Sequence, residues 1–187
     1  MKTYEEYISE KLNISPVKQD DLKDGNSARM PFVKIGSCVW SAQNCRLTRR
    51  ADGSNLLEGI DYVINDGEVY YSYNGAMKVI PNGWHLPTYR EGEELRAAAD
   101  YKSENLMSKE CGGNNSLRFN GKYNGVVTKS GAVRYKGQEY ELWCVGDCGH
   151  ISDGKDYSQA ILISKTESIR VLPSHKGLFM SVRFIKN

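Results

Sequence analysis

The sequence predicts an α+β domain, mostly antiparallel sheet with one main helix, preceded by an N-terminal helical arm. Three observations carry this. Seven short segments from Phe32 onward are rich in Val, Ile, Tyr and Phe and are separated by Gly, Asn or Ser. One stretch, from Thr88 to Ala99, combines a capping-box start with an apolar stripe at helical spacing. The first 30 residues lack the strand pattern and form a separate unit. With 187 residues the chain has room for one main domain and a short extension. We divide it into arm and linker at 1–30 and the domain at 31–187.

In the arm, Thr3 and Glu6 have capping-box spacing, and Tyr4, Tyr7, Ile8 and Leu12 recur at helical intervals. This predicts a helix with one apolar side, which either packs on its own domain or docks on another subunit or protein. SPVKQDDLKDGNSARM, with Pro16, Gly25 and paired acids, reads as linker. FVKIGSCVW is the opening strand, followed by IDYVI and EVYYSY. The helix comes next, with Thr88 as its cap, Glu91 completing the box, and Leu95, Ala98 and Ala99 as its buried stripe. In AVRYKGQEYELW, Lys136-Gly137 is placed at a tight hairpin turn, with Val133 and Tyr135 on a half-buried face. AILISK, ESIRVLP and GLFMSVRFIK supply the remaining strands.

Composition excludes several classes. Hydrophobic residues at 40%, charged residues at 26%, and 18 Gly with 5 Pro do not suit collagen, low-complexity disorder or a coiled coil. A net charge of +2 is too small to drive nucleic-acid binding through counterion release. No apolar run approaches the roughly 20 residues of a membrane span, so neither nucleic acid nor membrane is an expected partner. The opening MKTYEEYISEKL places charges where an export signal needs an apolar stretch. Five Cys without a CxxC pair are expected to be reduced thiols.

Trp40 is expected in the core of the opening strand. Trp84, His85 and Pro87 are expected to fill a structural corner ahead of the helix. The densest chemistry lies in WCVGDCGHISDGKDY, residues 143–157, where Asp147, His150, Asp153 and Asp156 recur every three residues among Gly146, Gly149 and Gly154. The spacing is not that of an EF-hand, so no metal is assigned. We read the stretch as a metal-free recognition surface of Trp143, Asp147, His150, Asp153 and Tyr157, with the two aromatics as flat contact groups. No nucleophile elbow, phosphate loop or HExxH is present, and no cofactor is expected.

Four blocks add a resemblance. PNGWHLPTYREGEEL (81–95), FVKIGSCVWSAQNCRLT (32–48), VYYSYNGAM (69–77) and GLFMSVRFIKN (177–187) resemble, in order, the blocks of the FISUMP family. These are major-paralogue domains abundant in surface proteins of Bacteroidetes. The resemblance implies a C-type lectin-like fold, shared in outline with formylglycine-generating enzymes and with the receptor-binding proteins of diversity-generating retroelements. It also implies neighbouring terminal strands and an irregular loop region that binds. Two departures stand out: Gly92 occupies a place where the family commonly has Trp, and WCVGDCGH replaces a Trp-Ser-Ser block. The sugar-binding signals of calcium-dependent lectins are absent.

The expected function is a non-enzymatic recognition or assembly module. Its expected setting is a phage virion, as fibre, tail or capsid decoration assembled in the host cytoplasm. Its partners would be other virion proteins or a host-surface glycan or protein, and it would form a homo-oligomer. Two alternatives are an enzyme related to the formylglycine-generating oxidases, through Cys144 and Cys148, and a secreted cell-surface glycan-binding protein with its signal removed.

Overall fold

Phe32–Ile35 (β1) and Cys38–Ser41 (β2) form an antiparallel hairpin, so the run expected as one strand folds back on itself at Gly36. Gly36 has φ +61°, and a side chain there would meet the Glu94 carboxylate, which itself accepts the Ser37 backbone N–H. The computed structural model describes residues 31–146, 156–166 and 168–187. The arm with Tyr4, Tyr7, Ile8 and Leu12, and the linker after it, lie outside the described residues.

Tyr62–Asn65 (β3) and Glu68–Tyr71 (β4) pair through an Asp66-Gly67 turn. The Tyr-rich strand ends earlier than the sequence suggests. Ser72 accepts the Gly75 N–H and starts a short helix, Tyr73–Lys78 (α1). Trp84–His85 (β5) then leads into the main helix, Tyr89–Ala98 (α2), with its capping box between Thr88 and Glu91 formed as expected. Leu95 and Ala99 are buried, but Ala98 is exposed, so the stripe is narrower than predicted. Gly92 explains a family departure. It lies against Ile161 and Val171, where a Cβ would come within 2.9 Å of Val171 Cγ2. The helix therefore rides directly on the sheet, and no Trp fits there.

An irregular segment with two 3₁₀ turns, Ser103–Asn105 and Lys109–Cys111, crosses to Val126–Thr128 (β6) and Val133–Arg134 (β7). Here the predicted hairpin is corrected. β7 pairs back with β6 around Ser130-Gly131, while Lys136-Gly137 only redirects the chain. Tyr135 is 55% exposed, with φ +59°, and is not on a half-buried face.

Glu139–Trp143 (β8), Tyr157–Ser164 (β9) and Arg170–His175 (β10) form a three-stranded antiparallel sheet in the order β10-β9-β8. Leu178–Phe179 (β11) joins β6, and Ile185–Lys186 (β12) lies between β2 and β5. The opening and closing strands are thus neighbours, as expected, with Ile185 opposite Trp40. β8 and β9 are covered on both faces. Leu142 and Ile161 join the core under α2 with Trp40 and Leu95, while Trp143 and Ala160 join the opposite core with Tyr71, Met180 and Phe184. That double burial is why AILI is apolar throughout instead of alternating.

Candidate functional site

Trp143 does not face outward. It is fully buried, donates its indole N–H to the Tyr71 carbonyl at 2.8 Å, and meets Tyr73 edge-on at 5.5 Å between ring centres. Its assignment as a contact group is therefore corrected: the side-chain alternation of β8 turns it into the apolar core. Tyr157 is half-buried at the start of β9, its ring edge-on to His175 at 5.2 Å. Asp147, His150 and Asp153 lie outside the described residues, as does Cys148. Cys144 is fully buried, and burial pushes its thiol up, away from the thiolate that a nucleophile or soft-metal ligand needs.

The Trp-His corner is structural, as expected. Trp84 is 8% exposed and packs near Phe32. His85 bridges Glu91 at 2.9 Å and the Asn187 side chain at 2.6 Å, tying the start of α2 to the last residue of the chain.

An opening lies elsewhere among the described residues. A cleft of about 490 Å³ is walled by Gln43, Asn44 and Arg46 after β2, by Glu68 on β4, and by two stretches of the irregular segment. Those stretches contribute Ser108, Lys109 and Glu110, then Asn115, Asn120 and Lys122. Among the described residues no aromatic or aliphatic side chain lines it. Its irregular wall is braced from within. Asn115 Oδ1 accepts the Asn120 N–H at 2.9 Å, Asn114 Nδ2 donates to Asn105 Oδ1 at 2.8 Å, and Leu106, Met107 and Phe119 anchor the wall in the core. Asn115 and Asn120 both have positive φ, a conformation Asn adopts more readily than most residues.

Beneath the cleft lies Arg183, 1% exposed. Its Nε donates to Asn44 Oδ1 and to the Tyr140 hydroxyl, both at 2.9 Å. Nη1 donates to the carbonyls of Ser41 at 2.8 Å and Phe119 at 2.9 Å, and Nη2 to that of Asn120 at 3.2 Å. The guanidinium also stacks on the Phe119 ring at 4.5 Å. Among the described residues no carboxylate pairs with it. Asn44 is the hub of this network, accepting from Tyr140 as well and donating to Ser181 Oγ at 3.4 Å. Ser108, also in the cleft wall, is 8% exposed, and its hydroxyl has no hydrogen-bond partner among the described residues. Such an atom marks unused bonding capacity.

The Fibrobacter succinogenes major domain (Fib_succ_major) matches residues 33–186, most of the chain. The chain belongs to this family. It is the family that the four sequence blocks resemble. No significant match was found among curated proteins or solved structures. Within this Fib_succ_major domain, the cleft, Arg183, Asn44 and Ser108 escaped the sequence reading. The available signal was the polar alternation of Ser181 and Arg183 between Met180, Val182 and Phe184, joined to the Asn-rich run at 114–120.

Proposed function

We propose that this domain is a non-enzymatic recognition module of C-type lectin-like fold that holds a polar partner in the cleft between residues 43–46 and 108–122. One observation carries the reading: a cleft that, among the described residues, is lined by polar side chains alone, drawn from three separate parts of the chain and braced by its own hydrogen bonds. A pre-organised polar surface of this kind loses little freedom on binding. Pairing of the opening and closing strands, a helix on the sheet and a long irregular segment after it support the lectin-like frame. The proposed setting is an assembled surface, a phage fibre, tail or capsid decoration, or a cell envelope, and the proposed partner is a host glycan or surface protein.

A glycan array probed with the full chain tests this. Gln43→Trp, at an exposed position, should fill the cleft and abolish binding with little change in melting temperature. Lys129→Trp, in the β6–β7 turn, should leave binding intact. Binding that survives Gln43→Trp, or an array without any signal, overturns the assignment.

A further inference from the structure

The geometry points to a carboxylated saccharide as the ligand of the cleft: a polyhydroxylated molecule carrying a single negative charge per residue. This inference rests on the cleft being the recognition site and adds the chemical class of what it takes. The volume of about 490 Å³ falls in the range of small-ligand sites. The lining selects among ligands of that size. The exposed carboxamides of Gln43 and Asn120 offer donors and acceptors to the cleft, joined by the partly exposed Asn115. That set matches neighbouring hydroxyl groups. With no aromatic platform or apolar pocket in the wall among the described residues, neither a stacked base nor a peptide anchor finds a seat.

Charge then selects the class of sugar. Arg46, Lys109 and Lys122 stand in the wall against Glu68 and Glu110. Lys122 and Glu68 neutralise one another at 2.9 Å. Arg46 donates to the neutral Gly67 carbonyl, so its charge is undiminished. Arg183 adds a further cation below the floor whose partners among the described residues are all neutral. Only one bond, to the carbonyl of the cleft residue Asn120, is made by its Nη2. A cation desolvated among neutral dipoles projects its field farther than one in water. The balance favours an anionic ligand. A phosphate dianion would meet the two carboxylates of Glu68 and Glu110, whereas a carboxylate beside hydroxyls lets those acids accept hydrogen bonds.

The test uses the full chain and paired probes: trigalacturonate against its methyl ester, and sialyllactose against lactose, titrated by calorimetry at low and high salt. One acidic member should bind at least about tenfold more tightly than its neutral counterpart, and the pair that does so separates a uronate from a sialate source. The preference should shrink as salt rises. Arg46→Gln with Lys109→Gln should bring the ratio close to one, while Lys129→Gln should leave it unchanged. Equal binding of acidic and neutral probes, both lost in Gln43→Trp, overturns the ligand class and leaves the cleft as the binding site. An acidic preference that persists in Gln43→Trp places the anion elsewhere and overturns both readings. Absence of binding by all four probes also overturns the inference.

Discussion

Trp143 and Arg183 are both large, fully buried side chains, yet they stabilise this domain in opposite ways. Trp143 sits among Tyr71, Tyr73, Met180 and Phe184 and makes one polar contact, so its contribution is area removed from water and close packing. Arg183 sits among carbonyls, a carboxamide and a phenol, and its contribution is geometric: it holds Ser41, Asn44, Phe119 and Asn120 in one arrangement. An apolar interior closes itself off. A polar interior retains bonding capacity and is the kind of floor on which an open site can be built. The chain uses the first to join its sheets and the second to support its cleft.

Removing the apolar anchor should have the largest effect. Trp143→Ala should lose about 3–5 kcal/mol, because it leaves a cavity and strips the Tyr71 carbonyl of its donor. Denaturant unfolding measures the loss, and saccharide affinity extrapolated to the folded fraction should not change. An affinity loss beyond the folded fraction would return Trp143 to the site.

Arg183→Met keeps an unbranched apolar stem and removes the donors. It should cost about 3 kcal/mol, chiefly from acceptors left without partners in the interior. The comparison sharpens in where the damage appears: amide exchange should rise at 106–124 and cleft binding should weaken, with β9 and β10 unaffected. Uniform exchange across the domain would mean that Arg183 is ordinary core filling.

Glu141 supplies the smallest effect and the contrasting case. Two residues from Trp143 on β8, it is 7% exposed, and burial, with help from Glu139, pushes its carboxyl up to about 7. No hydrogen bond or ion pair to it is found among the described residues. The folded state therefore binds the extra proton. Stability from this group should fall as pH rises from about 4.5 to about 7, and the penalty should be complete above that. Glu141→Gln should flatten this slope and raise stability at pH 8 by on the order of 1–2 kcal/mol. Unfolding curves at pH 5 and pH 8 give the answer, and identical pH profiles for variant and parent would assign the slope to another group.

Much of the frame was legible because it obeys local rules. Thr88 and Glu91 cap α2 through contacts three residues apart, and the opening and closing strands carry apolar runs that no loop would tolerate. The hairpin at Lys136-Gly137 was misplaced because a Gly turn reports a change of direction and not which strands pair. Ser130-Gly131 offered the same local chemistry, and pairing went to the strand whose register suited it. Trp143 was misassigned for a related reason. Aromatic, Gly and Asp residues beside one another suggest a surface, but β8 is buried on both faces, and that depends on what packs above it.

The sequence by itself determined the family, the α+β class and the capped helix, all of which rest on residues close together in the chain. Tertiary structure alone decided where the cleft is. Ser181 and Arg183 alternate with Met180, Val182 and Phe184 as the polar face of a strand would, and in sequence that face is indistinguishable from one bathed in solvent. It is buried because residues 106–124 cross over it and because Asn44, more than 130 residues away, comes within 2.9 Å of the Arg183 guanidinium. Contacts over such separations follow from how the sheets and the irregular segment pack, and no local pattern encodes them.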